Sequence, residues 1–211
     1  MTVVHWARHG ENVANISRTF SYRVFDGELT DRGIAQAGQL AGALRAAGHR
    51  YGLLVCSPLR RATQTADIVS AGLGLPVAAE LEDLREVNVG DLDGRNDDQA
   101  WQAYERTLAR WQAGDLGQRF PGGESGRELT ARIGRALGVI ASWAEPDDAI
   151  VVAHGASIRW RSSSRGIEAP ALTSESKPKA PPSLSAYQYA GGIHEYGPAI
   201  FMPDAPVSGV P

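Results

Sequence analysis

Three short apolar runs in this chain each end at a polar or ionisable residue, with glycine or proline directly behind. Val3-Val4-His5-Trp6-Ala7 leads into Arg8-His9-Gly10, Leu53-Leu54-Val55-Cys56 into Ser57-Pro58, and Ala149-Ile150-Val151-Val152-Ala153 into His154-Gly155. Runs of four to eight such residues bounded by turn formers read as buried strands. Between them the apolar period changes. Thr30 stands as an N-cap before Ile34, Ala37, Leu40, Ala41 and Leu44, and Gly48 closes that helix. A second helix follows Pro58. Ser125 and Glu128 form a Ser-x-x-Glu capping box that opens a third, carrying Leu129, Ile133, Leu137 and Ile140 inward. Strands alternating with helices predict parallel pairing through right-handed crossovers, which brings all three strand ends to one side of a sheet. Ligands of open α/β sheets bind in that crevice.

The remainder of the chain fits around this frame. Its 211 residues are enough for one substantial core, so a single domain over residues 1–202 is expected, with 203–211 as a flexible tail. Residues 8–29 lack sustained periodicity and read as a long loop of the kind that carries function. Residues 76–79 read as an edge strand, and a glycine-punctuated loop runs through Gly90 and Gly94. Trp101, Tyr104, Leu108 and Trp111 share one side of a helix, where the aromatic rings are expected to cover the core. Residues 161–182, rich in Ser, Pro and Lys, read as a solvated loop, and Arg159, Arg161 and Arg165 as a solvated basic turn. A terminal hairpin is expected from 184–189 and 193–196. A net charge of -3 offers no general attraction to nucleic acid or an anionic membrane, so any anion site must be local. With neither a leader-like amino terminus nor a membrane-length apolar run, and with Cys56 as the one cysteine, a cytoplasmic protein is expected. A homodimer is permitted.

Two histidines, two arginines and a glutamate at converging strand ends suit a phosphoryl group. Guanidinium forks match its spread charge, and neutral imidazole can attack phosphorus. Arg8 and Arg61 would hold nonbridging oxygens, His9 would be the nucleophile, and His154 would donate across the phosphate. Glu86 would protonate the leaving alkoxide and then activate water. Backbone N–H groups after Ser57 and Gly155 would add donors. His5 reads as a hydrogen-bonded structural residue, and His49 and His194 as surface groups.

The ordered set of motifs resembles the histidine phosphatase superfamily, in the phosphatase branch of its phosphoglycerate mutase-like members. The matching stretches are Arg8-His9-Gly10-Glu11 with Asn15, Leu29-Thr30-Asp31-Arg32-Gly33, Ser57-Pro58-Leu59-Arg60-Arg61-Ala62, Leu84-Arg85-Glu86, Gly122-Gly123-Glu124-Ser125 and Ala153-His154-Gly155. The resemblance implies an α/β fold, a three-layer α/β/α sandwich around a mostly parallel sheet. It assigns the second phosphate-binding arginine to Arg61, places Asn15 on the phosphate, and sets Ser21 and Glu124 at the substrate's border. It also implies a small phosphorylated metabolite as substrate and a phosphatase that needs no metal, and no cofactor is expected.

Rival chemistries fail on spacing. A cysteine phosphatase needs arginine six residues after the nucleophile, but Ala62 stands there, and no Gly-x-Ser-x-Gly elbow is present. No compact His/Asp/Cys set has zinc-ligand spacing. A phosphoglycerate mutase is the nearest alternative; the family's mutases carry a longer insertion before the capping-box helix, where this chain has only a short 114–123 link. A silent phospho-ligand-binding protein is the other alternative, and the five retained catalytic groups oppose it.

Overall fold

A computed structural model of the chain describes residues 3–144, 147–157 and 193–196. Its strands are β1 (Val4–Arg8), β2 (Tyr51–Cys56), β3 (Val77–Glu80), β4 (Asp148–Ala153) and β5 (Ile193–Tyr196), and its helices α1 (Val13–Ser17), α2 (Asp31–Ala46), α3 (Arg60–Leu73), α4 (Asp98–Gln112) and α5 (Gly126–Ala144). The strands form one sheet in the order β3-β2-β4-β1-β5, with every pairing parallel. The expected α/β/α sandwich follows from how side chains alternate. Leu53, Val55, Val4, Trp6, Ala149 and Val151 face a layer holding α4 and α5, whereas Leu54, Cys56, Ala7, Ile150 and Val152 face α2 and α3. Strands buried on both faces must be apolar at consecutive positions, which is why these runs do not alternate.

Local chemistry sets the helix boundaries. Thr30 Oγ1 accepts from Gly33 N at 3.0 Å, and Ser125 and Glu128 close their reciprocal box at 3.3 and 2.9 Å. A cap of this kind contributes about 1 kcal/mol. α3 has no cap of its own; the Asp26 carboxylate, in the loop before α2, accepts from Arg60 N at 2.9 and 3.0 Å.

Two local expectations are corrected. Residues 8–29 are not all loop: Asn12 and Asn15 cap each other reciprocally around α1, which buries only Ala14. So short a helix has no apolar face for periodicity to detect. On α2, Ile34 is 49% exposed and the buried face runs Gly33, Ala37, Ala41 and Leu44 instead. The helix start lies so close to the β1 end that a Cβ on Gly33 would stand 2.0 Å from Glu11 O, and one on Gly10 2.3 Å from Gly33 O. Glycine at both positions turns the helix and displaces Ile34 outward.

The edge strand is β3. Of the terminal hairpin, 193–196 forms β5 beside β1, while 184–189 lies outside the described residues, as do the basic turn, the 161–182 segment and the tail. Among the described residues no helix is long and apolar enough to cross a membrane.

Candidate active site

The β1–β4 register pairs Ala7 with Val152 and Arg8 with Ala153, so the next residue of each strand, His9 and His154, emerges level at the carboxyl edge. His9 N donates to Ala153 O at 3.0 Å, and Ser57 N, leaving β2, to Val152 O at 2.9 Å. The imidazole rings stand with centroids 5.1 Å apart, tilted 58°. Arg61 reaches the same point from the first turn of α3.

Hydrogen bonds define the state of His9. Nδ1 lies 2.7 Å from Gly10 O, which can only accept, and Arg61 Nε, which can only donate, lies 3.1 Å from Nε2. The proton is therefore on Nδ1 and the lone pair on Nε2. Burial, reinforced by the charges of Arg61 and Arg8, holds the pKa of His9 well below the usual imidazole value. Burial and the charge of Arg61 do the same to His154. Both rings are neutral at neutral pH.

The fork of Arg61 is held open by the loop opposite. Nη1 donates to Ser21 Oγ at 3.2 Å and Nη2 to Ser21 O at 2.8 Å, with Asp26 Oδ1 3.5 Å from Nη1. Burial lowers the pKa of Arg61, an effect opposed by Glu86 and Asp26, yet a guanidinium remains charged. Asp93 fastens this loop by accepting from the N–H groups of Tyr22, Arg23 and Val24 at 2.7–2.8 Å.

A cavity of about 170 Å³ opens above these groups. Arg8, His9, Asn15, Ser21, Arg61, Glu86 and Gly155 all line it, bringing together the sequence-predicted set with two exceptions, His154 and Glu124. His154 is fully buried behind the wall; its Nε2 lies 2.7 Å from Ser57 Oγ, and its Nδ1 has no hydrogen-bond partner among the described residues. Gly155 is where Arg8 crosses, since a Cβ there would lie 3.1 Å from the guanidinium carbon. The Glu86 carboxylate accepts from Val87, Ala156 and Ser157 N–H groups at 2.9–3.3 Å, fixing it between its own loop and the turn after His154. Asn15 is exposed, with its amide oxygen engaged by Asn12 N at 3.1 Å.

Glu124 does not border the cavity. Its carboxylate takes two bonds from Arg132, at 2.7 and 2.9 Å, and one from Asn88 N at 2.8 Å. Arg132 in turn donates to the carbonyls of Asp83, Arg85 and Glu86 at 2.8–2.9 Å, so the pair positions the Glu86 loop. Arg132 escaped sequence reasoning because it looks like any polar residue on an amphipathic helix. So did Thr65, whose hydroxyl accepts from Gly10 N at 3.0 Å and steadies the turn that carries His9. The aromatic residues serve twice. Tyr104 packs in the core, as expected, but Tyr104, Trp101 and Phe20 also wall the cavity with Val87 and Val89, while Trp111 is core alone.

The parallel α/β sandwich brings His9, Arg8 and Arg61 to one cavity, with the neutral His154 ring buried directly behind His9, an arrangement with the charge and geometry to hold a phosphoryl group. The sequence profile of the histidine phosphatase superfamily (branch 1) matches residues 4–187, and the chain belongs to that family. It is 32% identical over 158 residues to a probable phosphoglycerate mutase GpmB from Yersinia pestis, covering 75% of this chain and 72% of the relative. A putative α-ribazole-5′-P phosphatase from Escherichia coli superposes with a TM-score of 0.63 at 27% identity, covering 81% of this chain and 83% of that one. A mycobacterial glucosyl-3-phosphoglycerate phosphatase gives a TM-score of 0.62 at 30% identity, covering 75% and 78%.

Proposed function

We propose that this chain is a metal-independent phosphomonoesterase that hydrolyses a small phosphorylated metabolite through phosphorylated His9. The observation that carries the reading is the His9 ring itself, a neutral imidazole whose Nε2 lone pair sits under a guanidinium at the floor of the cavity. An incoming phosphoryl dianion would draw the fork of Arg61 from Ser21, with Arg8 closing on the opposite side. The Nε2–P bond forms as the ester P–O bond breaks, and Glu86 gives its proton to the departing alkoxide. Water then attacks phosphorus, Glu86 takes a proton from it, and inorganic phosphate leaves with Nε2 restored. His154, with Ser57 on Nε2, supports the charge that builds on a nonbridging oxygen. Two guanidinium groups provide the positive charge that other phosphatases draw from metal ions.

Phe20, Trp101, Tyr104, Val87 and Val89 give the alcohol side of the cavity a largely aromatic, apolar wall. It suits an ester whose alcohol carries a ring. Cys56 does not compete as nucleophile, since burial first, then Glu80 and Asp67, push its thiol up to about 12. An inert buried thiol also accords with a cytoplasmic setting.

Rapid acid-free quenching of labelled substrate should trap a base-stable, acid-labile phosphoryl group on the parent protein and none on His9→Ala. A parent that turns over while never carrying label would overturn the reading. The GpmB-like relative favours one alternative, transfer to a second hydroxyl. Supplying a phosphoglycerate with excess acceptor separates the two, since a mutase releases isomerised ester and a phosphatase releases free phosphate.

A further inference from the structure

The chain has five histidines, at positions 5, 9, 49, 154 and 194, and the active site uses two. The other three gather at the opposite end of the sheet. His5 is the second residue of β1, Asp148 starts β4, and His49 lies in the turn between α2 and β2. The Asp148 Oδ2 atom stands 3.2 Å from His5 Nε2 and 2.9 Å from His49 Nδ1, and one ligand atom from each residue falls within 4.8 Å of the others. The two rings meet edge to face, with centroids 4.6 Å apart, and Tyr51 packs beside both. In the neighbouring strand the register partner of His5 is His194.

We infer that His5, His49 and Asp148 form a binding site for a divalent transition-metal ion, Zn²⁺ in the first instance, separate from the active site. Two imidazoles and one carboxylate are a common zinc donor set, and zinc bonds near 2.0–2.1 Å with tetrahedral angles place ligand atoms about 3.3 Å apart. Both nitrogen-to-oxygen separations are within a few tenths of an ångström of that edge, and the half-exposed His49 ring is free to turn its nitrogen toward that of His5 to close the third. The carboxylate is already oriented, because its other oxygen, Oδ1, accepts from Val3 N at 2.8 Å. His5 is buried and His49 partly open, which leaves an approach from solvent and a fourth position for water.

His9 lies four positions beyond His5, roughly 13 Å along the extended chain. The ion cannot touch a substrate at His9. It joins β1, β4 and the α2–β2 turn, and so acts as a staple on the amino edge of the sheet.

The test is binding of Zn²⁺ to the metal-free full-length protein by competition with a chromophoric chelator, with Co²⁺ as a spectroscopic probe and thermal melting as a second readout. One equivalent should bind, Co²⁺ should show the intense visible bands of a four-coordinate site, and Zn²⁺ should raise the melting temperature by several degrees. His49→Ala should weaken binding at least thirtyfold and abolish the thermal shift while leaving aryl phosphate turnover unchanged, and Asp148→Asn should weaken binding similarly. His9→Ala should bind as the parent does. Dissociation constants above 1 mM, equal affinity in His49→Ala, or loss of binding in His9→Ala would each overturn the proposal.

Discussion

Each end of the sheet gathers a pair of histidines, and the residues around them make those pairs chemically opposite. At the carboxyl end, His9 and His154 are buried beside Arg61 and Arg8, and desolvation and like charge both expel their protons. At the amino end, His5 and His49 flank the carboxylate of Asp148. Imidazole among cations is a lone pair waiting for an electrophile; imidazole beside an anion is half of a ligand set. The sign of the neighbouring charge divides the labour within one sheet.

The largest expected effect tests the cationic end. His9→Ala should lower kcat for an aryl phosphate on the order of 10⁴-fold or more, measured by steady-state release of the aryl alcohol. Turnover near the parent value would remove His9 from the chemistry. Glu86→Gln should cost about 10²–10⁴-fold on an alkyl phosphate and much less on an activated aryl ester, whose leaving group needs no proton. Equal losses on the two substrates would mean that Glu86 is not the acid. Arg61→Ala should reduce kcat roughly 10²–10³-fold.

Acidity sharpens the contrast. In the proposed mechanism His9 must be neutral to attack, and its folded pKa is depressed, so kcat/KM should hold as pH falls past 6.5 and decline only well below it. A decline centred at 6.5 or above would place His9 in an ordinary aqueous setting. The stability of the fold follows the same sign. An unfolded histidine takes up a proton near pH 6.5 and the buried rings resist it, so the contribution present above pH 6.5 is lost as pH falls toward their folded values. Asp148, also depressed, keeps its contribution until pH falls below about 4. Between those limits, melting temperatures should fall less in a His154→Asn variant than in the parent. The smallest effect belongs to the amino end, where His49→Ala should leave turnover within twofold of the parent.

Much of this arrangement is legible in the sequence. Strand ends bearing Arg8-His9 and His154 had to converge once the pairing was parallel, and the caps at Thr30 and Ser125 rest on local hydrogen bonds that depend on a few adjacent residues. What stayed hidden depends on distant chain segments. Arg132 reaches three carbonyls and a glutamate across a loop, and His5, His49 and Asp148 come from three separate elements with no spacing rule to announce them. Ile34 was misplaced because the contact between Gly10 and Gly33 turns the α2 face, and a contact between backbones has no periodic signature.

That pair of glycines has a mechanical meaning. With no side chain between them, the end of β1 rests directly on the first turn of α2, and Glu11 O accepts from Thr30 N at 2.9 Å just alongside. His9 is thus mounted on a joint without play, and a helix sixteen residues long serves as its backing plate.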